Sequence, residues 1–245
     1  MEYGLQLYTV RKLLTSDNEI RRVFQRIKAL GYTSVQLYGK PDLLNACAKN
    51  AANMGLRISG ILSNIPYCQE YTREIFELCK KYGIPDLGIS SNRVECESID
   101  SYTKEVNHFF SMLPAHIETF SYHNHSHEFS VIQHGRSAMD VLLSELDPGI
   151  CWMPDTYWLH DGACDVIDFL EAHGDRVRIM HLKDRKTKPA AFMFCEVGYG
   201  CLNFQQILKT ARNCGIREYI VEQDECDQDP MNSIKLSMDY LKSIS

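Results

Sequence analysis

The sequence predicts a single-domain α/β protein, a (β/α)8 barrel spanning residues 1–245. Three observations carry that prediction. Short β-like runs alternate with helical patterns eight times over, 245 residues is the usual length for eight such units, and no stretch reads as a linker, a low-complexity tract or a second domain. The structural competitor is a doubly wound open sheet, which wants a glycine-rich phosphate turn after its first strand. Here strand one runs into Thr9-Val10-Arg11-Lys12 instead.

The elements follow in order. Strand one is read at Gly4–Tyr8. Ser16 and Glu19 form a capping box before a helix in which Ile20, Val23, Phe24, Ile27 and Leu30 repeat at helical spacing, and Gly31 stops it. Strand two is Ser34–Leu37, a helix over about Pro41–Met54 ends at Gly55, and strand three is Arg57–Leu62. The third helix spans roughly Gln69–Tyr82 with Gly83 as its C-cap, followed by strand four at Asp86–Ser90 and a helix over Ile99–Leu113. Strand five is Ile117–His123, a helix fits Ser137–Leu146, and Asp147-Pro148-Gly149 turns the chain. Strand six is Ile150–Pro154 with a helix at about Ala163–His173, and strand seven is Val177–Leu182 with a helix at Phe204–Asn213. Strand eight is Glu218–Glu222, and Met231 to about Lys242 forms the last helix.

Composition narrows the function. A formal net charge of −6 argues against a nucleic-acid groove, which wants a basic surface. The ten cysteines, Cys96 among them, contain no C-x-x-C pair, so they read as reduced, mostly buried thiols of a cytoplasmic protein. The N-terminus lacks the basic and apolar regions of a signal peptide, and no apolar run is long enough to cross a bilayer.

The chemistry gathers at the strand ends. Tyr122-His123-Asn124-His125-Ser126-His127-Glu128-Phe129 crowds three histidines and a glutamate at the end of strand five. Strand six ends in Asp155, strand seven in His181-Leu182-Lys183-Asp184, and strand eight in Glu222-Gln223-Asp224-Glu225. Each alone has a duller explanation: Asp155 as a helix N-cap, His181 as a core histidine, Glu222 as part of a solvated acidic loop. Four successive strands repeating the event point instead to a convergent site on the barrel axis, where the loops after the strands meet. Imidazole with carboxylates suits one divalent ion of Mn²⁺, Mg²⁺, Co²⁺ or Zn²⁺. Such an ion would grip vicinal oxygens of a polyol or hydroxyketone while a neighbouring side chain moves a proton. Trp158 could wall a sugar ring, and Arg185-Lys186-Thr187-Lys188 could attract a phosphate, although such a run is more often a solvated loop.

Four segments resemble one family. Tyr122-His123-Asn124-His125-x-x-Glu128-Phe129 looks like the Y-H-N-H-x-x-E-F signature of the sugar phosphate isomerase/epimerase group of xylose isomerase-like barrels. Gly4-Leu5-Gln6-Leu7-Tyr8-Thr9-Val10-Arg11 resembles its first strand, His181-Leu182-Lys183-Asp184 its H-x-K-D, and Glu196-Val197-Gly198-Tyr199-Gly200 with Asn203-Phe204 its following loop. The resemblance implies one divalent metal held by Asp155, His181, Glu222 and a strand-five ligand. Glu128 is favoured for that place, with His123 and His125 the alternatives. It further implies Glu128, Glu222 and His123 as catalytic groups, and His125, Lys183, Trp158, Gln36 and Gln6 as substrate contacts. Two departures stand out: many relatives carry a glutamate where this chain has Gln36, and a histidine where it has Ile61-Leu62-Ser63-Asn64.

The expected activity is a metal-dependent isomerisation or epimerisation of a small sugar, sugar phosphate or sugar-derived polyol through an enediolate. A dehydratase shares the first proton abstraction and then expels a β-oxygen. A non-catalytic sugar-binding barrel is the alternative from another class, motivated by Gln36. A small-molecule carbohydrate partner is expected, with no nucleic acid and no membrane, and homo-oligomerisation is left open.

Overall fold

The computed structural model describes residues 1–91, 99–130 and 135–245. Its strands are β1 (Gly4–Gln6), β2 (Ser34–Leu37), β3 (Arg57–Ser63), β4 (Asp86–Ser90), β5 (Thr119–His123), β6 (Cys151–Met153), β7 (Ile179–Leu182) and β8 (Glu218–Val221). They form one parallel sheet in the order β6-β5-β4-β3-β2-β1-β8-β7. Parallel bridges Trp152↔Val177 and Asp155↔His181 bring β7 back to β6. The cylinder is thereby completed, as the eightfold alternation predicts.

Alternation along each strand sorts the side chains. On β5, Phe120 and Tyr122 face the helices, where Phe120 meets Phe109 at 5.9 Å and Tyr122 meets Tyr102 at 6.4 Å between ring centroids. Met153, Ile179 and Ile220 face inward with Leu62 and form a small apolar cluster separate from the main core. Gly88 makes room for it, since a Cβ there would lie 2.8 Å from the Met153 methyl carbon. This layer plugs the barrel, and the polar side chains of the strand ends stand in the same interior.

Ten α-helices among the described residues surround the sheet: α1 (Asp17–Leu30), α2 (Pro41–Met54), α3 (Ile65–Glu70), α4 (Thr72–Tyr82), α5 (Ile99–Ser111), α6 (Ala138–Glu145), α7 (Thr156–Asp161), α8 (Val166–His173), α9 (Phe204–Asn213) and α10 (Pro230–Ser243). Ser16 caps α1 by accepting from Glu19 N, one half of the predicted box, whereas Ser137 and Asp140 form both halves at α6.

The differences from the sequence reading have local causes. Strand one ends early because Gln6 Oε1 accepts from Tyr8 N at 3.1 Å and turns Leu7–Leu13 into a 3-10 helix. The helix expected over Gln69–Tyr82 is α4, which starts only at Thr72 because the chain breaks at Tyr71; ahead of it Asn64 caps a separate short helix, α3, with a proline in its first turn. The helix expected over Ala163–His173 is α8, starting at Val166 behind its cap Asp165, and a short helix that was not expected, α7, precedes it with Asp155 as its cap. Asp184–Arg185 and Phe194–Cys195 pair as a short antiparallel ribbon that was not expected. The nine described cysteines are unpaired; Cys201 is exposed, and Cys96 lies outside the described residues. No helix among the described residues is long and apolar enough to cross a membrane.

Candidate metal centre

Four buried side chains converge at the C-terminal end of the barrel. His123 closes β5, Asp155 follows β6, His181 lies in β7, and Glu222 follows β8. One ligand atom from each lies within 4.8 Å of the others. Two imidazoles and two carboxylates make a mixed nitrogen and oxygen set for a divalent ion.

The local geometry fits a cation. His123 Nδ1 and Asp155 Oδ2 are buried with no hydrogen-bond partner, a rare condition that a ligand would relieve. Asp155 does cap a helix, accepting from Trp158 N through Oδ1 at 3.0 Å. Its other oxygen is left to the site, so the structural role and the ligand geometry coexist in one side chain.

A chain of hydrogen bonds fixes the remaining histidine. Tyr8 N donates to Gln6 Oε1 at 3.1 Å, which orients the Gln6 amide. Gln6 Nε2 donates to Gln36 Oε1 at 2.6 Å, and His181 Nε2 lies 2.7 Å from the same oxygen. That oxygen can only accept, so Nε2 carries the hydrogen. His181 Nδ1 then faces Glu222 Oε2 at 2.9 Å. A ring lone pair opposite a carboxylate oxygen is favourable only with a proton or a cation between them. An anchored N–H opposite the ligating nitrogen is the usual outer support of a metal-binding histidine.

Lys183 is the centre's own cation. Buried to 1% side-chain exposure, its ammonium lies 3.1 Å from Asp155 Oδ2, 2.9 Å from Glu222 Oε2 and 3.1 Å from Asp224 Oδ1. The approach to Asp155 is close enough for an ion pair but lacks hydrogen-bond alignment. Burial alone would lower the Lys183 pKa, but Asp155, Asp224 and Glu222 outweigh it and hold it well above the ordinary value. Burial would likewise raise that of Glu222, yet Lys183 and His181 hold it well below the carboxylate range. Asp155 is pushed up to about 6 by burial, against the pull of Lys183. Burial and the neighbouring His181 keep His123 neutral, and burial with Lys183 brings His125 down to about 3.

Glu128, expected as the strand-five ligand, stands outside this group. Its oxygens accept from Ser91 Oγ at 2.8 Å, Tyr122 OH at 3.0 Å and His125 N at 2.8 Å. Tyr122 points away from the barrel axis, and Glu128 is tied to it on that side. It groups instead with His125 and His127 as a second cluster of metal-ligand type. Burial raises the Glu128 carboxyl to about 7, opposed by the bond from Ser91.

A cavity of about 410 Å³ opens over the centre. His123, His125, Lys183, Glu222 and Asp224 line it, and Gln6 does too. Tyr8, Tyr38 and Tyr67 supply an aromatic wall, and the exposed Lys40 stands at its edge. Of the other expected substrate contacts, Gln36 lies buried behind His181. Trp158 packs edge-on against His125 at 5.2 Å, with the Lys183 ammonium 5.2 Å above its ring. Neither lines the cavity. Arg185 and Lys186 are paired with Asp161 and Asp227 and do not line it either.

Three features escaped the sequence reading. Asn124 Oδ1 accepts from Asp155 N at 3.0 Å and joins the two strand ends. Asp224 follows Glu222 by two residues, the strand period that puts both on one side; that spacing was a usable signal. The tyrosine wall comes from three separate segments, the 3-10 helix, the loop after β2 and α3, and had none.

The family model described as xylose isomerase-like TIM barrel matches residues 4–244. An inosose dehydratase of Bacillus licheniformis is 28% identical over 116 residues, which cover 41% of this chain and only 39% of that protein. A sugar phosphate isomerase/epimerase from Parabacteroides distasonis superposes with a TM-score of 0.81 at 23% identity, covering 99% of this chain and 93% of that one. The IOLI protein with a bound zinc atom gives 0.73 at 12% identity, covering 100% and 98%. At these identities the solved structures speak for the fold.

Proposed function

Because the chain belongs to the xylose isomerase-like TIM barrel family, we propose that it is a metal-dependent enzyme that moves a proton next to the carbonyl of a small sugar or sugar-derived polyol. The observation that carries this reading is the buried set His123, Asp155, His181 and Glu222 beside a cavity of about 410 Å³. In this reading His123, rather than Glu128, is the strand-five ligand. When bound, a divalent ion supplies Lewis-acid charge that stabilises an enediolate as it forms.

The chain's own groups do the rest. Glu222, held ionised by Lys183 and His181, lines the cavity and takes the proton from the carbon beside the carbonyl. The Lys183 ammonium donates to a substrate oxygen. His125 is neutral, with Nδ1 uncommitted, and holds a hydroxyl, while the protonated Glu222 carboxyl gives its proton back. Return to carbon gives isomerisation or epimerisation, the reaction class named for a structural relative that covers nearly the whole chain. Loss of a β-oxygen as water gives dehydration, which the partial match to inosose dehydratase favours as the second reading. The unpaired cysteines support a reducing, cytoplasmic setting.

The test is deuterium wash-in. Manganese-loaded protein incubated in D₂O with ketoses and keto-inositols should label the carbon next to the carbonyl of one of them, read by NMR. Glu222→Gln should slow that labelling by about 10³-fold or more. A metal-loaded protein that binds a sugar and labels none would establish the sugar-binding reading instead.

A further inference from the structure

The ammonium of Lys183 stands where it touches two of the proposed metal ligands. It lies 3.1 Å from Asp155 Oδ2 and 2.9 Å from Glu222 Oε2, the oxygen that faces His181 Nδ1. An ammonium in that place offsets one of the two carboxylate charges, so it stabilises the acidic pair where a metal would otherwise do so. A divalent ion held by the same oxygens would sit a few ångströms from that ammonium, and like charges at such a distance in a buried site repel strongly. The two cations therefore compete for one pair of carboxylates.

The structure also offers the ammonium another place. Asp224 Oδ1 and Oδ2 lie 3.1 and 3.3 Å from Lys183 Nζ, on the cavity side, and Asp224 is not one of the four clustered ligands. The Trp158 and Phe194 rings lie beneath the ammonium at 5.2 and 5.7 Å, within range for cation–π attraction. Arg11 fixes this seat. Its guanidinium donates to the Asp224 carbonyl at 2.6 Å and pairs with Glu225, while stacking over Tyr8 at 3.9 Å. That gives the arginine of the 3-10 helix a purpose the ligand set does not.

We propose that a divalent ion enters this centre by exchange with the Lys183 ammonium, and that Asp224 is the positioning residue to which the ammonium withdraws. The inference rests on the metal reading of the site. Withdrawal moves the ammonium off the ligands and presents it to the cavity, so metal loading also arms Lys183 to meet substrate. Asp224 acts through Lys183 and not through the metal.

Calorimetric titration of metal-stripped protein with Mn²⁺ alone tests the exchange. Lys183→Met should bind Mn²⁺ at least about tenfold more tightly than the parent, because the competitor is gone. Asp224→Asn should bind about threefold more weakly, because the ammonium has lost its seat, and the double variant should match Lys183→Met within about twofold. A Lys183→Met affinity no tighter than the parent's overturns the exchange while leaving the metal reading intact. Equal weakening by Asp224→Asn in both backgrounds overturns the seat and makes Asp224 a general electrostatic contributor. Absence of Mn²⁺ binding in parent and variants alike means that the metal reading itself has failed. If Lys183→Met does not fold, a crystal structure of the Mn²⁺-loaded parent decides. Nζ bonded to Asp224 and clear of both ligand carboxylates supports the exchange, and Nζ still bonded to both overturns it.

Discussion

Gln36 shows how much one amide can settle. The family resemblance implied a substrate contact there, with a glutamine in place of a basic glutamate. In the structure its oxygen accepts from Gln6 and from His181 Nε2, so it acts on the histidine and not on the cavity. Gln36→Leu removes the acceptor and should weaken divalent-metal affinity by about 10–100-fold. Gln36→Glu keeps an acceptor for both donors and should restore affinity to near the parent's. Equal loss in both variants, measured in metal-buffered titrations, would mean that only packing matters there. Asp86 carries the residue-scale prediction for pH. Burial pushes its carboxyl from 3.8 up to about 7, although Thr119 and Ser121 hydroxyls donate to Oδ1. The folded protein thus holds this proton more tightly than the unfolded chain. The contribution to stability is full below the unfolded value and is lost as pH rises through about 7. Asp86→Asn abolishes that slope, so its melting temperature relative to the parent should be higher at pH 8 than at pH 5. A difference that is flat with pH would assign the proton elsewhere.

At the scale of elements, the loop after β7 is organised by one aspartate. Asp184 accepts backbone N–H groups from Arg185 at 2.7 Å, Gly198 at 3.0 Å, Gly200 at 2.9 Å and Leu202 at 3.2 Å. A Cβ on Gly200 would collide with that carboxylate. The H-x-K-D and E-V-G-x-G segments are therefore two halves of one fastening. Asp184→Ala frees four donors and should cost about 2–4 kcal/mol of unfolding free energy in denaturant titrations. A loss under about 1 kcal/mol would show that water replaces the carboxylate. Each half was visible in the sequence as a motif, but their contact was not, because the partners lie 14–18 residues apart across a ribbon. Helix breaks were legible in principle. Asn64, Asp155 and Asp165 are helix caps, and periodicity alone passed over the short helices that the first two begin. Glu128 is the reverse case. Its motif was legible and its orientation was not, since the residues after β5 turn its carboxylate toward outward-facing Tyr122.

At the scale of the whole molecule, the barrel is a device for convergence. Residues far apart in sequence, His123, Asp155, His181 and Glu222, meet because parallel strands carry them to the same end. The eightfold alternation made the architecture readable, and the polar strand ends pointed to Asp155, His181 and Glu222, three members of the cluster. The spacing across the barrel depends on strand register, which a linear pattern does not encode. The reach of Lys183 to three carboxylates, and the grouping of His123 rather than Glu128 with the other three, were hidden for that reason. The central claim is that these four residues share one divalent ion. Anomalous diffraction at the zinc edge from crystals grown with zinc tests it most directly. The account predicts one strong peak about 2.0–2.2 Å from a nitrogen of His123 and of His181 and from an oxygen of Asp155 and of Glu222. A peak at His125, His127 and Glu128 instead, or none at the four-residue centre, would contradict it.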